Sequence, residues 1–216
     1  MKISQTLIFD LDGTLVDSKK ALAEAVNRVR RDIYALAPMT ADRLAKLLNR
    51  PNEELPRLLY GVDRYDARAH AYFIECYGRL CTDESTLFEG IYPLLERLHA
   101  HGHTLCVATN GPTFTAEKVL NHLKVSHFFS DIVGADRVER AKPDPAMIEL
   151  ILTRLNRKSA FMIGDSQKDI LAALSAGIQP VFVEWGYGDL DRGAKGVIRV
   201  AEPIGIEAMI GEKSDG

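Results

Sequence analysis

The stretch Leu7-Ile8-Phe9-Asp10-Leu11-Asp12-Gly13-Thr14 places two carboxylates two residues apart, directly after a short apolar run. The apolar run predicts a buried strand, and the Asp-Gly pair predicts a turn. Side chains at positions i and i+2 of a strand share one face, so Asp10 and Asp12 would repel each other unless a cation or a proton lies between them. Oxygen ligands suit Mg²⁺, which usually takes one or two carboxylates and leaves room for a substrate phosphate. We therefore predict a magnesium site here, and the alternative is a strand end that is merely turned by Asp-Gly.

Length and composition indicate an ordinary globular protein. The 216 residues suffice for one large domain with an insertion, and the hydrophobic fraction of 46% supports a real core. The 27 basic and 30 acidic residues give a formal net charge of only −3, so the basic footprint of a nucleic-acid-binding protein is missing. No run of about 18 apolar residues occurs. We expect neither a nucleic-acid partner nor a membrane partner.

The cysteines and the N-terminus favour a cytoplasmic location. Cys76, Cys81 and Cys106 are odd in number, and Cys106 lies in an apolar run, where cysteine usually acts as a small hydrophobic residue. The apolar run near the N-terminus is too short for the core of a signal peptide.

Short apolar runs alternate with helical segments along much of the chain. The runs that predict strands are Leu7–Phe9, Thr104–Ala108, Ala160–Ile163 and Pro180–Val183, with Asp131–Gly134 and Val197–Val200 as further candidates. Helix signals lie between them: Gly102 and Gly177 as helix ends, and Asp144-Pro145 as an N-cap followed by the first helical residue. Strands alternating with helices of about a dozen residues predict an α/β fold, with a Rossmann-like parallel sheet covered on both faces.

The stretch from Val16 to Leu87 is too long for one crossover between strands, so it predicts an inserted domain. Ser18, Thr40 and Asp63 are candidate starts of helices. The apolar residues that recur at helical spacing behind Ser18 are Leu22, Ala25, Val29, Ile33 and Leu36. We predict an α/β core over residues 1–15 and 88–216 and an all-helical cap domain over residues 16–87. Such a cap can act as a lid that excludes water and selects substrate, and the alternative is an inert packing bundle.

Three further polar clusters lie beside predicted strands or helices: Thr109-Asn110-Gly111, Lys142-Pro143-Asp144-Pro145 and Gly164-Asp165-Ser166-Gln167-Lys168-Asp169. Because ligands bind at the carboxyl ends of open parallel sheets, we expect these clusters to converge on Asp10. The first offers a hydroxyl, an amide and backbone N–H groups to an anion, unless it is an ordinary turn. An ammonium at Lys142 can neutralise phosphate, unless it is simply solvated. Asp165 can reach a metal, with Asp169 one helical turn further on, unless both acids only cap a helix.

Together the motifs DLDGT, ATN, KPDP and GDSQKD, at residues 10–14, 108–110, 142–145 and 164–169, resemble in their order those of the haloacid dehalogenase superfamily of phosphohydrolases. FDLDGTLVDS at Phe9–Ser18 and the turn Gly186-Tyr187-Gly188 are similar to the phosphoglycolate-phosphatase-like branch, which carries a helical cap after the first motif. The resemblance implies a phosphatase that uses Mg²⁺, acts on a small phosphorylated metabolite and exists as a monomer or homodimer.

The resemblance also implies roles for the residues of the first motif. Asp10 would attack phosphorus and form an aspartyl phosphate, and Asp12 would be the general acid and base. Mg²⁺ would be held by the Asp10 carboxylate, the Asp12 backbone carbonyl and Asp165. Thr14 would support the turn.

The other motifs would handle the phosphate. Thr109 and Asn110 would bind the phosphoryl oxygens, and Lys142 would stabilise their charge in the transition state. Asp169 would orient Lys142 or a metal-bound water. Asp12 argues for phosphoryl chemistry, because the dehalogenase branch lacks a second acid at this position.

The predicted cap departs from the family pattern at Asn49, where relatives usually have glycine. We hypothesise that Arg50, beside Pro51, contacts a substrate carboxylate or phosphate, since a guanidinium suits either anion, and the alternative is a structural surface arginine. Phosphoglycolate is the leading candidate substrate, ahead of nucleotides, sugar phosphates, phosphoserine and pyrophosphate, because cap loops rather than catalytic motifs set specificity. The alternative functions are a phosphosugar mutase of the same fold and a non-catalytic binding or regulatory relative.

Overall fold

The computed structural model describes residues 4–50, 54–191 and 193–212. The chain divides into two compact units, one of Met1–Val16 and Leu87–Gly216 and the other of Asp17–Thr86. Where the chain passes from one unit to the other, two short strands, Val16–Asp17 (β2) and Thr86–Leu87 (β3), pair in a two-stranded sheet.

The first unit is built on a six-stranded parallel sheet. In chain order its strands are β1 (Thr6–Phe9), β4 (Thr104–Thr109), β5 (Phe129–Gly134), β6 (Phe161–Gly164), β7 (Gln179–Val183) and β8 (Ile198–Val200). The spatial order is β5-β4-β1-β6-β7-β8, so β1 lies between β4 and β6. Within β1, Ile8 pairs with Cys106 on one side and with Met162 on the other. The parallel sheet confirms the predicted fold class, and both further candidate strands are present.

The second unit is helical. Its helices are α1 (Lys19–Asp32), α2 (Ala41–Leu48), α3 (Leu55–Tyr60) and α4 (Ala67–Leu80). Their apolar faces share a buried cluster that includes Val26, Val29, Leu44 and Leu59. The function of this unit as a cap stays a prediction.

Helix starts in the second unit follow the predictions only in part. Thr40 caps α2 as predicted, accepting a hydrogen bond from Arg43 N at 3.4 Å. Ser18 occupies the N-cap position of α1, but its side chain makes no capping hydrogen bond. The predicted start at Asp63 is wrong, because Asp66, which directly precedes α4, accepts the capping hydrogen bond from Arg68 N at 2.9 Å.

The end of α1 is also earlier than predicted. The helix stops at Asp32, and Leu36 lies beyond it. Ala35 adopts a φ of 50°, and the Arg30 guanidinium donates from Nε to the Ala37 carbonyl at 2.8 Å. The chain therefore leaves the helix before Ile33 and Leu36, the last two residues that the apolar spacing had included in it.

The described part of the first unit also contains five α-helices: α5 (Ile91–Ala100), α6 (Thr113–His122), α7 (Ala146–Arg154), α8 (Gln167–Ser175) and α9 (Ile204–Glu212). Met147 and Ile151 of α7 and Ala172 of α8 pack with Ile8 and Met162 in one buried cluster. Gly102 and Gly177 follow α5 and α8 as predicted. Among the described helices, none is long and apolar enough to cross a membrane.

The start of α7 differs from its prediction by one residue. Pro145 occupies the N-cap position and the helix begins at Ala146, rather than Asp144 being the N-cap. The Asp144 carboxylate accepts from Ala146 N at 3.1 Å, so it still satisfies a free N–H of the first turn, from one position further out.

Candidate active site

Asp10 lies directly after the central strand β1, buried among the ends of its neighbours. Its backbone N–H donates to the Ile163 carbonyl at 2.8 Å, which extends the pairing of β1 with β6 by one residue. Its carboxylate accepts from Lys142 Nζ at 2.7 Å. Burial, with Asp169 and Asp165 nearby, raises the pKa of the Asp10 carboxyl well above its ordinary range, although Lys142 opposes the shift.

Lys142 is a cation that contacts two of these carboxylates, and only 2% of the residue is exposed. Its ammonium donates to Asp10 Oδ1, to Asp169 Oδ1 at 2.6 Å and to the Ala108 carbonyl at 2.7 Å. Burial alone would lower the pKa of Lys142, but the two carboxylates outweigh that effect and raise it. The ammonium therefore stays charged, and only removal of both carboxylates would leave it buried without a counter-charge.

Asp169 is held by the first turn of α8 through a reciprocal capping box. Its Oδ2 accepts from Ser166 N at 3.0 Å and from Ser166 Oγ at 2.6 Å, which leaves Oδ1 for Lys142. A Cβ at Gly164 would lie 2.4 Å from Asp169 Cγ, so only glycine fits at the end of β6. Asp169 thus contacts Lys142, and its role in orienting Lys142 or a metal-bound water stays a prediction.

Asp165 lies in the same cluster, and only one of its two carboxylate oxygens accepts a hydrogen bond from the described residues. Its Oδ2 accepts from the backbone N–H groups of Tyr187 at 2.7 Å and Gly188 at 3.1 Å. Its Oδ1 is buried and, within the described ranges, has no hydrogen-bond partner. Burial, followed by the negative charge of Asp169, raises the pKa of Asp165 to about 7.

The three buried acids fit a divalent cation. Asp10, Asp165 and Asp169 offer oxygens that all lie within 4.8 Å of one another. Three carboxylates outnumber the two nearby ammonium groups, those of Lys142 and Lys168, and hard oxygen ligands suit Mg²⁺. Because both Asp169 oxygens are already hydrogen-bonded, Asp10 and the unpartnered Asp165 Oδ1 are the better ligands. The Asp12 side chain is half-buried and is not one of this trio.

The turn after Asp10 is closed by its own backbone and requires glycine. Leu15 N and Val16 N both donate to the Leu11 carbonyl at 3.0 Å. Gly13 has a φ of 90°, and a Cβ there would lie 2.4 Å from Asp165 Oδ2. Thr14 is fully buried, its carbonyl accepts from Trp185 Nε1 at 2.9 Å, and its hydroxyl has no partner among the described residues.

Thr109 is the last residue of β4, and Asn110 follows it directly. Thr109 Oγ1 accepts from Gly111 N at 3.1 Å and so shapes the loop. The Asn110 amide makes two bonds with the backbone of Lys142, accepting from its N–H and donating to its carbonyl, each at 2.9 Å. The structure therefore gives Asn110 a contact that the sequence did not indicate: it fixes the segment that carries the buried ammonium.

Arg50 lies in the second unit, where its guanidinium pairs with Glu54 at 3.1 Å and both side chains are exposed. Pro51, which was predicted beside it in a turn, lies outside the described residues. The other predicted site residues all belong to the first unit.

Sequence reasoning assigned no role to Ser166, left Trp185 between the cleft entrance and the edge of the sheet, and missed Asp136. Ser166 completes the capping box, Asp136 accepts from Thr113 N at 2.6 Å beside the Thr109–Gly111 loop, and Trp185 reaches Thr14. The aromatic residue directly before the Gly-Tyr-Gly turn was a signal for the last of these contacts. Nothing in the sequence marked Asp136.

Comparison with known proteins identifies relatives of this chain in both sequence and fold. The family model of haloacid dehalogenase-like hydrolases matches residues 7–183. A phosphoglycolate phosphatase from Colwellia psychrerythraea is 34% identical over 194 residues, 85% of each chain, and one from Vibrio cholerae is 32% identical over 200 residues, 87% of each chain. The structure of a haloacid dehalogenase-like hydrolase from Streptococcus pneumoniae superposes with a TM-score of 0.80 at 26% identity, covering 97% of this chain and 99% of the other.

Proposed function

The chain belongs to the haloacid dehalogenase-like hydrolase family and is a phosphatase, and from this premise we propose that it hydrolyses a small phosphomonoester through a covalent phosphoryl group on Asp10. The observation that carries the proposal is the Asp10 carboxylate, buried at the end of β1 and held by Lys142 at 2.7 Å. Phosphoglycolate is the proposed substrate, because the relatives that are about a third identical bear its name.

In the first step one Asp10 oxygen forms a bond to phosphorus as the bond from phosphorus to the ester oxygen breaks. The leaving alkoxide takes a proton from Asp12. In the second step Asp12 takes a proton from water as that water attacks the phosphoryl group and releases Asp10. Asp12 suits this double duty, since it follows the nucleophile by two residues and is half-buried, so it can exchange protons with solvent.

The acidic cluster fits Mg²⁺, which Asp10, Asp165 and the Asp12 backbone carbonyl would hold. Bound there, the cation would offset the repulsion between the Asp10 carboxylate and the substrate phosphate. The unpartnered Asp165 Oδ1 supports this assignment, because a buried carboxylate oxygen without a partner is costly.

Lys142, Thr109 and Asn110 would bind the phosphoryl group. The ammonium is already in place against Asp10, so it needs no rearrangement to stabilise charge that develops on the phosphoryl oxygens. Thr109 would contribute its hydroxyl. Asn110 would act partly through Lys142, whose backbone it holds, and partly through the second N–H of its amide.

The test is phosphate release from a panel of phosphorylated metabolites, with Mg²⁺ or with a chelator. We expect the wild type to release phosphate fastest from phosphoglycolate, the chelator to stop release, and Asp10→Asn to lack activity. Asp42→Asn, which changes an exposed acid paired with Lys19 in the second unit, is the matched control and should keep wild-type kcat/KM.

Other outcomes would overturn this assignment. Release that persists in Asp10→Asn contradicts the covalent step, and a different best substrate contradicts the choice of phosphoglycolate. Return of the phosphoryl group to a sugar phosphate would indicate a mutase, and metal binding without any turnover would indicate a binding relative.

A further inference from the structure

The turn Trp185–Gly188, which follows β7, contacts both Asp165 of the acidic cluster and the turn that follows Asp10. Trp185 Nε1 donates to the Thr14 carbonyl at 2.9 Å, in the turn that follows Asp10. Tyr187 N and Gly188 N donate to Asp165 Oδ2, after β6. One short turn thus joins the loops that follow three neighbouring strands, β1, β6 and β7.

The fit between these loops is close. A Cβ at Gly186 would lie 2.2 Å from Asp165 Cβ and 2.5 Å from the Gly13 carbonyl oxygen. Because no side chain fits at this point, a small movement of the turn would displace both Asp165 and Gly13.

The hydrogen bonds from the turn also determine which oxygen of Asp165 is available to a metal ion. Oδ2 accepts two backbone hydrogen bonds, so Oδ1 is the oxygen left without a partner among the described residues. The direction in which Oδ1 points therefore depends on where Gly186–Gly188 lies. Trp185 fixes the start of that turn through the single donor of its indole ring.

We propose that Trp185 is a positioning residue, whose indole N–H holds the turn Trp185–Gly188 against the Thr14 carbonyl and thereby aims Asp165 Oδ1 at the metal. This inference rests on one part of the proposed function, the cation at Asp10 and Asp165, and does not need the hydrolysis step. Thr14 is fully buried, so loss of the N–H would leave its carbonyl without a partner and free the turn to shift.

Trp185 is the only tryptophan in the chain, so replacing every tryptophan changes one residue. The test incorporates β-(3-benzothienyl)alanine, which puts sulfur in place of the indole N–H at nearly the same volume. The matched control incorporates 4-fluorotryptophan, which keeps the donor. Mn²⁺ binding without substrate, followed by the EPR signal of the free ion, reports on the site independently of activity.

We expect the benzothienyl protein to bind Mn²⁺ about tenfold more weakly than the wild type. Losses of this size are found when a hydrogen bond that orients a metal-binding side chain is removed. The fluorotryptophan protein should bind as the wild type does. A benzothienyl protein with wild-type Mn²⁺ affinity overturns the proposal. An equal loss in both substituted proteins overturns it as well, since the donor would not be the cause.

A second pair of variants covers the case in which the benzothienyl protein does not fold. Gly186→Ala adds a methyl group against Asp165, whereas a Cβ at Gly193, in the same connection, meets nothing closer than 3.6 Å. We expect Gly186→Ala to weaken Mn²⁺ binding at least tenfold and Gly193→Ala to leave it unchanged. Equal affinities in the two variants would contradict the proposal.

The two proposals fail in different ways. A wild type that binds Mn²⁺ but hydrolyses no phosphate ester overturns the proposed function and leaves the role of Trp185 standing. A wild type that hydrolyses esters while the donor at Trp185 has no effect on Mn²⁺ affinity overturns the inference alone. A wild type that does not bind Mn²⁺ overturns both.

Discussion

At the scale of the residue, the buried Asp165 carboxylate is a proposed metal ligand, but it lowers the stability of the folded chain when no metal is bound. Its pKa is raised by burial from 3.8 to about 7, which means that the ionised carboxylate destabilises the folded chain when no metal is present. As pH rises through this interval the unfolded chain loses its proton first, so the folded protein loses stability. We expect Asp165→Asn in chelator to melt above the wild type at pH 8, by about 2–4 °C for each kcal/mol regained, with a smaller difference at pH 5.

Scanning calorimetry at the two pH values, with chelator and then with Mg²⁺, checks this prediction. Mg²⁺ should raise the melting temperature of the wild type and leave that of Asp165→Asn unchanged. If Asp165→Asn melts below the wild type in chelator at pH 8, the two backbone hydrogen bonds to Oδ2 outweigh the cost of burying the charge, and the prediction is wrong.

Arg50 is the predicted substrate contact that the structure leaves open. Its pairing with Glu54 is exposed, and such pairs add little to stability, so Arg50→Ala should fold normally. If the guanidinium binds a substrate anion, Arg50→Ala should raise KM for phosphoglycolate about tenfold or more. Glu54→Gln breaks the same pair but keeps the guanidinium, so its KM should stay near wild type. An unchanged kcat/KM in Arg50→Ala would show that Arg50 is a structural surface residue.

Sequence reasoning reached the charged residues of the site but not the contacts that orient them. Asp10, Lys142 and Asp165 could be placed together because each precedes or follows an element of a parallel sheet at one edge. The Asn110 amide bonds to Lys142 and the Trp185 bond to Thr14 join positions 32 and 171 residues apart. These contacts depend on loop conformations that leave no periodic pattern in the sequence.

At the scale of the element, the start of α6 joins the loop Thr109–Gly111, which we propose binds phosphate, to the end of β5. Asp136 accepts from Thr113 N at 2.6 Å and Thr113 Oγ1 at 2.8 Å, and that hydroxyl accepts from Gly134 N at 3.0 Å. We expect Asp136→Ala to lower the free energy of unfolding by about 1 kcal/mol, as for loss of a helix cap, and to raise KM more than it lowers kcat. Asp136→Asn, which can still accept, should restore most of the loss.

Urea unfolding and steady-state kinetics test this prediction, with Glu139→Ala as the control for removing a nearby exposed acid. Burial alone would raise the pKa of Asp136, but the hydrogen bonds from Thr113 outweigh it and lower the pKa. The stabilisation is therefore present at neutral pH and disappears as pH falls through the lowered value, so the difference between wild type and Asp136→Ala should shrink in acid. A difference that is independent of pH would contradict the assigned cap.

Local sequence signals predict the boundaries of strands better than the starts of helices in this chain. The six strands of the parallel sheet were predicted to within a residue or two, because apolar runs bounded by polar residues leave little choice of position, whereas the short strands β2 and β3 were not predicted. Helix starts were less certain wherever two acids compete for the cap. Both Asp63 and Asp66 are eligible by type, and Asp66 caps α4 because its carboxylate reaches Arg68 N. Such a choice depends on the path of the preceding turn.

At the scale of the whole molecule, the acidic cluster and the insertion belong to different units. Asp10, Lys142, Asp165 and Asp169 all lie in the first unit, and Asp17–Thr86 forms the second. Phe88 N donates to the Leu15 carbonyl at 3.1 Å, so the two ends of the first unit adjoin where the insertion leaves and returns. A short Gly-Ser linker can therefore replace residues 17–86 without stretching the core.

We expect the shortened chain to fold and bind Mn²⁺ within a few-fold of the wild type, because its metal ligands and its buried cluster around Ile8 and Met162 are intact. If the insertion is the predicted lid, phosphate release should fall about a hundredfold, since the shortened chain would lack the part that excludes water from the substrate. Circular dichroism, Mn²⁺ EPR and kcat/KM for phosphoglycolate measure the three quantities. Full activity in the shortened chain would show that the insertion is an inert bundle, and loss of Mn²⁺ binding in a folded chain would place a ligand in the insertion.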